Sequence, residues 1–205
     1  MPDKPISEKE RWETRFLASD YIFGKEPNAF LKAQVHRLPA SGTALSVADG
    51  EGRNGVWLAQ QGLDVLTIDY SPAALAKAQA LAAERCLRVR TEVTDVFAWH
   101  WPKDAFDVIA AIFIFAAPAE RPAFFKNLKD ALKPGGLLLM QGYRPEQLNY
   151  RTGGPPEVER LYTRSILEQS FADLAGLEIH EHDSVINEGT GHVGMSALID
   201  VIGRK

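Results

Sequence analysis

Apolar residues along the chain fall into short runs that alternate with stretches of helical spacing. Residues 105–115 are apolar except for Asp107, as expected for a central parallel strand that is covered on both faces. Shorter runs predict further strands at 44–48, 65–68, 87–93 and 137–140. The segments between them predict helices at 54–61, from Ser71-Pro72 to residue 82, and at 122–132. This alternation is typical of an α/β fold with parallel strands.

The two ends of the chain follow different patterns. Ser7 and Glu10 have the spacing of a capping box and predict a helix over 7–19. Pro27 is suited to the first turn of a second helix. The C-terminal part predicts a helix over 163–172 and then strands at 177–186 and 194–202, which are joined by a turn. We therefore predict a doubly wound, mostly parallel, seven-stranded Rossmann-like sheet with an antiparallel C-terminal hairpin and N-terminal capping helices.

The length of 205 residues suits one domain, and we predict a single domain over residues 1–205. Within it, residues 1–40 form a helical cap. Residues 143–160 form a long, lid-like loop with Gly153-Gly154-Pro155-Pro156 at its centre. A loop of that length inside a domain is more often functional than idle.

The composition of the chain limits the classes of binding partner and the cellular compartment that we expect. The net charge of −4 disfavours nucleic acid and anionic membranes as partners. The N-terminus is polar without an apolar signal core, and the apolar run at 108–119 is too short to span a bilayer. The single cysteine, Cys86, fits a reducing compartment. These features predict a cytoplasmic protein without a nucleic-acid or membrane partner, and the oligomeric state stays open.

Residues 44–69 hold the clearest functional signal, because they predict a strand, a glycine turn, a helix and a strand that ends on Asp69. Gly50 and Gly52 carry no Cβ, so a ligand can approach the backbone amides of the turn. Asp69 ends the second strand about 20 residues after the turn, where an acid meets the ribose in nucleoside-binding α/β sheets. We expect a nucleoside site here.

The charge of the turn discriminates between two candidate cofactors. Residues 50–55 match G-x-G-x-x-G, the pattern of dinucleotide-binding proteins, and so leave a nicotinamide-dependent oxidoreductase as an alternative. However, Asp49 and Glu51 place negative charge beside the glycines, where a pyrophosphate would be repelled. S-adenosylmethionine has a sulfonium, an ammonium and no phosphate. The charge pattern therefore favours S-adenosylmethionine.

The chain also resembles the class I S-adenosylmethionine-dependent methyltransferases, in particular a small bacterial branch grouped with tellurite-resistance and thiopurine methyltransferases. The resemblance covers nearly the whole chain. It rests on residues 48–54, Asp69 with Ser71, 75–78, 106–109, 132–136 and the tail at 188–194, together with the N-terminal residues Trp12, Arg15, Phe16, Tyr21, Gly24, Pro27 and Asn28.

The resemblance implies a set of cofactor contacts. Ala48, Asp49, Gly50 and Gly52 would line the methionine end, and Asp69 would bind the ribose hydroxyls. The adenine would lie beside Tyr70, Asp95 and Val96, and the reacting centre would face Ile112 and Phe113. Two positions depart from the family: Ser46 stands where an acid is usual, and Phe115 stands where the branch often has a histidine. We hypothesise that Asp49 replaces the missing acid and faces the ammonium.

Acceptor residues are less defined by the sequence. We take Tyr21, Tyr143 and His192 as catalytic candidates and Arg53, Gln147 and Glu188 as substrate-binding candidates. Arg53 could instead form a surface salt bridge with Glu51 or Asp49. Ordinary packing is the alternative for the tyrosines, and a turn-stabilising pair is the alternative for His192 with Glu188. His180 and His182 predict a solvated strand face, so we expect no metal site.

The predicted function is S-adenosylmethionine-dependent methyl transfer to a small-molecule acceptor by in-line displacement. The acceptor classes left open are a thiol, an oxyanion of tellurium or selenium, and an amine. A protein that binds S-adenosylmethionine without catalysis is a further alternative, for which Phe115 is the one support.

Overall fold

A computed structural model describes residues 7–205, and the first six residues of the polar N-terminus lie outside the described part. In the described chain one sheet has seven strands in the order β3-β2-β1-β4-β5-β7-β6. Strands β1 to β5 pair in parallel, and β7 is antiparallel to both β5 and β6. The predicted fold class is confirmed. The strands are β1 Gly42–Val47, β2 Leu63–Asp69, β3 Arg90–Val93, β4 Phe106–Ile112, β5 Leu132–Tyr143, β6 Ala175–Glu188 and β7 His192–Arg204.

Helices cover both faces of the sheet, as a doubly wound arrangement requires. They are α1 Glu8–Phe16, α2 Ala29–Ala33, α3 Arg53–Gln60, α4 Pro72–Glu84, α5 Arg121–Ala131, α6 Gln147–Tyr150 and α7 Arg164–Phe171, with 3₁₀ turns at Val35–Arg37 and Val158–Arg160. On one face Phe124 and Phe171 pack against Leu45 and Ile109. On the other, Trp57 packs among apolar residues of α2, α3 and the central strands.

Local capping signals in the sequence are confirmed. The Ser7 side chain accepts a hydrogen bond from the Glu10 amide while the Glu10 carboxylate accepts one from the Ser7 amide. Ser71 caps α4 through the Ala74 amide, with Pro72 in the first turn. Gly62 takes a left-handed conformation with φ of 93° after α3.

Three local expectations are corrected. Pro27 lies before α2 rather than in its first turn, because Asn28 is the cap and accepts a hydrogen bond from the Leu31 amide. The strand expected at 87–93 begins at Arg90, since Leu87 and Val89 pack against α3 and α4 instead. The segment 143–160 is not irregular throughout, because it includes α6 and a 3₁₀ turn.

The sheet topology decides where a ligand site lies. The order of the strands reverses between β1 and β4, so the chain leaves the carboxyl ends of these neighbours in opposite directions. Such a switch point opens a crevice at the carboxyl edge of a parallel sheet. Here the crevice contains the glycine turn after β1, Asp69 after β2 and Phe113 after β4.

Candidate functional site

The glycine turn joins β1 to α3 in a conformation that its sequence makes possible. Ala48, Gly50 and Gly52 have φ angles of 47°, 57° and 87°. A Cβ on Gly52 would lie 2.4 Å from Ala78 Cβ, and one on Gly55 would lie 2.2 Å from Thr67 Oγ1. Gly52 and Gly55 therefore allow close packing against α4 and β2, while Gly50 adopts the left-handed conformation that the turn requires.

Asp69 has the position that the sequence predicted, at the end of β2 beside the turn. Its Oδ2 accepts a hydrogen bond from the Gly50 amide and its Oδ1 accepts one from the Ser71 amide, each at 2.9 Å. Burial raises the pKa of this carboxyl above its ordinary value. The two amides fix the orientation of the carboxylate, which keeps further lone pairs that can accept hydrogen bonds.

Asp49 lies under the turn, and one of its two carboxylate oxygens accepts a hydrogen bond. Its Oδ2 accepts a hydrogen bond from the Gly55 amide at 2.8 Å. Its Oδ1 is buried and has no partner among residues 7–205. Burial raises the pKa of Asp49 to about 6, against the opposing effects of the Gly55 amide, the Ser46 and Asn54 side chains and the Arg53 charge. A buried oxygen without a donor fits a cationic ligand group, such as the ammonium of S-adenosylmethionine.

Glu51 does not carry the role that its charge suggested. It is 3% exposed, its Oε1 accepts from Lys77 Nζ at 2.7 Å, and its Oε2 accepts from the Ile22 amide at 2.7 Å. Because Lys77 comes from α4, no local pattern of residues indicated that the charge of Glu51 would be neutralised. The negative potential of the turn thus comes from Asp49 and Asp69, and Glu51 anchors the N-terminal segment.

The three residues predicted to contact the adenine differ in their exposure. Tyr70 is half-buried beside Asp69, and burial raises the pKa of its hydroxyl. Asp95 is exposed, and its Oδ1 accepts a hydrogen bond from the Phe97 amide. Val96 is buried in the core with Ile68 and Phe124, which argues against its predicted contact with the adenine ring.

A roof over the turn is formed by α1, the segment after it and the tip of the β6–β7 hairpin. Phe16 Cζ lies 3.2 Å from the position that a Gly50 Cβ would take, and Glu13 accepts a hydrogen bond from Ser71 Oγ. The Gly191 amide donates to the Ile22 carbonyl at 2.9 Å. The sequence did not identify Glu13 as a site residue, because its contact joins segments that are far apart in the chain.

A second cluster, built around Glu188, lies next to the turn. Arg53 Nη2 donates to Glu188 Oε2 at 2.6 Å, and both side chains are buried. Asn28 Nδ2 and the Ala29 amide donate to Glu188 Oε1 at 3.1 and 3.2 Å. Burial opposes ionisation of Glu188, but His192 and Arg53 outweigh it and lower its pKa to about 2. Arg53 therefore pairs with Glu188, and not with Asp49 or Glu51 as in the surface salt bridge that was the alternative to substrate binding.

Asn28 supports the Glu188 cluster, although the sequence indicated it only as part of the N-terminal motif. Besides Glu188, its Nδ2 donates to Gln141 Oε1 at 2.7 Å, and Gln141 Nε2 donates to Asp200 Oδ1 at 2.7 Å. This chain of hydrogen bonds fixes both Asn28 and Glu188. The asparagine before a short helix signals only a cap, so its long-range contacts were not visible.

Aromatic rings surround His192 beside this cluster. Its ring centroid lies 4.5 Å from that of Phe23, 4.8 Å from Phe113 and 6.1 Å from Tyr143. Tyr143 stacks between Phe113 and Phe115 at 4.7 and 5.6 Å. The fold thus brings together the predicted residues Arg53, Phe113, Tyr143, Glu188 and His192.

Three other predicted residues lie elsewhere. Tyr21 Oη donates to the Lys77 carbonyl at 3.0 Å, on α4 and apart from the aromatic cluster. Gln147 is 1% exposed, and its amide is consumed by Thr152, the Gly153 carbonyl and the Ala197 amide. It therefore holds the 143–160 segment to β7 and has no free group for a substrate. Ile112 is buried in the core on the α2–α3 side of the sheet.

The described residues contain no group of three His, Cys, Asp or Glu side chains that could hold a metal ion. His180 lies beside Glu178, and His182 Nε2 lies 3.0 Å from Asp200 Oδ2. None of the helices between residues 7 and 205 has the length and apolar character needed to cross a membrane.

Comparison with known proteins shows what this site is similar to. Residues 44–136, which are less than half of the chain, match the family model described as a methyltransferase domain. This similarity favours S-adenosylmethionine over the nicotinamide alternative. The match covers the glycine turn and Asp69, whereas Tyr143, Glu188 and His192 lie outside it.

The curated proteins that are similar to this chain carry different names and are longer than the aligned regions. Hemagglutinin 1 of Eikenella corrodens is 33% identical over 98 residues, which cover 47% of this chain and 32% of that protein. Thiocyanate methyltransferase 1 of Arabidopsis thaliana is 34% identical over 119 residues, or 56% of this chain and 51% of that protein. The alignments thus span a third to a half of the length of these curated relatives.

Solved structures share the fold of this methyltransferase domain. The crystal structure of TehB from Haemophilus influenzae superposes with a TM-score of 0.72 at 17% identity, over 96% of this chain and 66% of that chain. At this identity the likeness concerns the fold alone.

Proposed function

We propose that this protein transfers the methyl group of S-adenosylmethionine to a small-molecule acceptor. The observation that carries the proposal is the Asp69 carboxylate, fixed by the Gly50 and Ser71 amides at the end of β2. Asp49 supports it, because the free Oδ1 suits an ammonium. Bound S-adenosylmethionine would supply an activated methyl group, so the protein contributes mainly alignment and proximity.

The acceptor centre in this proposal is the space beside Phe113, Tyr143 and His192, next to the Arg53–Glu188 pair. Its roof and the 143–160 segment favour a small acceptor over a polymer. Relatives that include a thiocyanate methyltransferase support an acceptor with a sulfur nucleophile. The net charge of −4 agrees with an acceptor that is not a nucleic acid, and we propose a cytoplasmic location from the single cysteine.

Calorimetric titration with S-adenosylhomocysteine and with NAD tests this proposal. We expect S-adenosylhomocysteine to bind with a submillimolar Kd and NAD to show no binding. At a ligand concentration of 100 times Kd, binding should add about 2.7 kcal/mol to the free energy of unfolding and raise Tm. Binding of NAD in place of S-adenosylhomocysteine would contradict the proposal.

A further inference from the structure

His182 is the centre of a cluster of three polar side chains on the C-terminal hairpin. Ser184 lies on the same face of β6, because side chains two positions apart in a strand point to the same side. Asp200 lies on the neighbouring strand β7, where it pairs with His180 and is therefore diagonally across from His182. The hairpin thus brings a hydroxyl, an imidazole and a carboxylate together on one face of the sheet.

These three side chains form a continuous line of hydrogen bonds. His182 Nδ1 lies 2.9 Å from Ser184 Oγ, and His182 Nε2 lies 3.0 Å from Asp200 Oδ2. The other oxygen of Asp200 accepts a hydrogen bond from Gln141 Nε2 at 2.7 Å. Asp200 is 8% exposed, and both of its oxygens are therefore held by protein donors.

The Asp200 carboxylate determines which nitrogen of His182 carries the proton. Burial raises the pKa of Asp200, and the contacts with Gln141 and His182 oppose this effect. An ionised carboxylate can only accept hydrogen bonds, so His182 Nε2 donates to it and carries the proton of the neutral ring. Nδ1 then holds the lone pair and accepts the hydrogen bond of the Ser184 hydroxyl, which has no other acceptor among residues 7–205. A base beside a hydroxyl, oriented by a carboxylate, is the arrangement that activates a serine nucleophile.

Reagents in solution can reach this cluster. The side chain of His182 is 37% exposed, and Ser184 is half-buried next to the exposed Val185. In the described sheet β6 is the edge strand. A strand face at the edge of a sheet holds a small molecule weakly, so a donor that reacts here has to be intrinsically reactive.

We propose that Ser184 is a nucleophile that accepts an acyl group from activated esters, with His182 as its general base. The Ser184 hydroxyl gives its proton to His182 Nδ1 as Oγ forms a bond to the carbonyl carbon of the ester. The bond from that carbon to the leaving oxygen then breaks, its electron pair stays on this oxygen, and the oxygen takes the proton from His182. The products are acyl-Ser184 and the free phenol or alcohol, and Asp200 stabilises the imidazolium between the two steps.

Acetylation of the full chain with p-nitrophenyl acetate tests this assignment. Proteolysis and mass spectrometry at successive times give the rate at which each serine gains an acetyl group. We expect Ser184 to be acetylated, and His182→Gln should lower its rate by about 10²-fold or more, the usual contribution of a general base. Ser184→Ala should remove the acetyl group from this peptide.

Two controls distinguish an activated hydroxyl from general surface reactivity. Ser165 is exposed on α7, and its Oγ accepts a hydrogen bond from the Gln169 amide instead of contacting a histidine. It should be acetylated about 10²-fold more slowly than Ser184 in the same sample, because it has no general base. His180→Gln is the matched variant, since His180 lies on the same face of β6 beside Glu178, and it should leave the rate at Ser184 unchanged. The Tm of each variant shows whether its fold is kept.

Histidine NMR gives a readout that does not depend on reactivity. In ¹⁵N-labelled protein at about pH 8, His182 should be protonated at Nε2, and Asp200→Asn should remove this preference.

An unlabelled Ser184, a rate at Ser184 no greater than that at Ser165, protonation of His182 at Nδ1, or an unchanged rate in a folded His182→Gln variant would each overturn the assignment. Absence of S-adenosylhomocysteine binding would contradict the proposed methyl transfer and leave the Ser184 nucleophile intact, because the two reactions are independent.

Discussion

Asp49 shows how a single buried side chain links folding and ligand binding. One oxygen accepts the Gly55 amide and the other has no donor within residues 7–205. Removal from water raises the pKa of the group to about 6, so the free protein ionises Asp49 between pH 5 and 7. A cationic ligand group would favour the ionised form and make binding depend on pH.

We expect affinity for S-adenosylhomocysteine to rise as pH increases from 5 to 7, by up to tenfold per unit below pH 6. Asp49→Asn should keep the Gly55 hydrogen bond, weaken binding at pH 7 by at least tenfold, about 1.4 kcal/mol, and flatten the pH profile. Titration calorimetry at several pH values measures both effects.

The folding control for Asp49→Asn follows from the sign of the pKa shift. The native pKa exceeds the unfolded value, so the stabilising protonated form is lost as pH rises from about 4 through 6. The amide does not ionise, and the variant should therefore be at least as stable as the wild type at pH 7. Unchanged affinity in a folded variant would exclude a role for Asp49 in cofactor binding.

At the scale of an element, the glycine turn combines two separate requirements. Gly52 needs a left-handed φ of 87° and also has no room for a Cβ, which would lie 2.4 Å from Ala78 Cβ. Gly135 has a similar φ of 80°, but nothing lies within 4 Å of its Cβ position. Substitution at Gly135 therefore tests the backbone conformation alone, whereas substitution at Gly52 tests the backbone conformation and close packing together.

Gly135→Ala should lower the free energy of unfolding by about 1 kcal/mol, the cost of a left-handed alanine. Gly52→Ala should add the cost of forcing α3 and α4 apart, typically 1–3 kcal/mol for overpacking, and should also weaken S-adenosylhomocysteine binding. Urea unfolding of both variants measures the difference. Equal losses would show that α4 moves aside without cost.

At the scale of the whole molecule, the N-terminal segment and the C-terminal hairpin both contact the glycine turn at the crevice. The Ile22 amide is bound by Glu51 of the turn, and the Ile22 carbonyl is bound by Gly191 of the hairpin tip. Glu13 and Ser71 add a contact between α1 and α4. The N-terminal segment, the central sheet and the C-terminal hairpin therefore share contacts around the glycine turn.

From this arrangement we expect one cooperative unfolding transition, as predicted for a single domain. Differential scanning calorimetry should give a calorimetric enthalpy equal to the van't Hoff enthalpy, and S-adenosylhomocysteine should shift the single transition upward. A separate low-temperature transition, lost when residues 7–33 are deleted, would show instead that the cap unfolds independently.

The sequence by itself determined the fold and the position of Asp69 beside the glycine turn. Several features depend on residues that are close in the chain, namely the caps at Ser7 and Ser71, the left-handed Gly62 and the position of Asp69. Hydrophobic periodicity identified the seven strands. These signals are short-range, because hydrogen bonds within a helix or turn connect residues a few positions apart.

Only the tertiary structure decided which charges are neutralised and which polar groups stay free. Glu51 meets Lys77, Arg53 meets Glu188 across 135 positions, and Gln147 is used up by its own segment and β7. Tyr143 and His192, from different strands, are left with unpaired atoms beside one another. Burial and distance in space set these outcomes, and neither is encoded in the local pattern of residues.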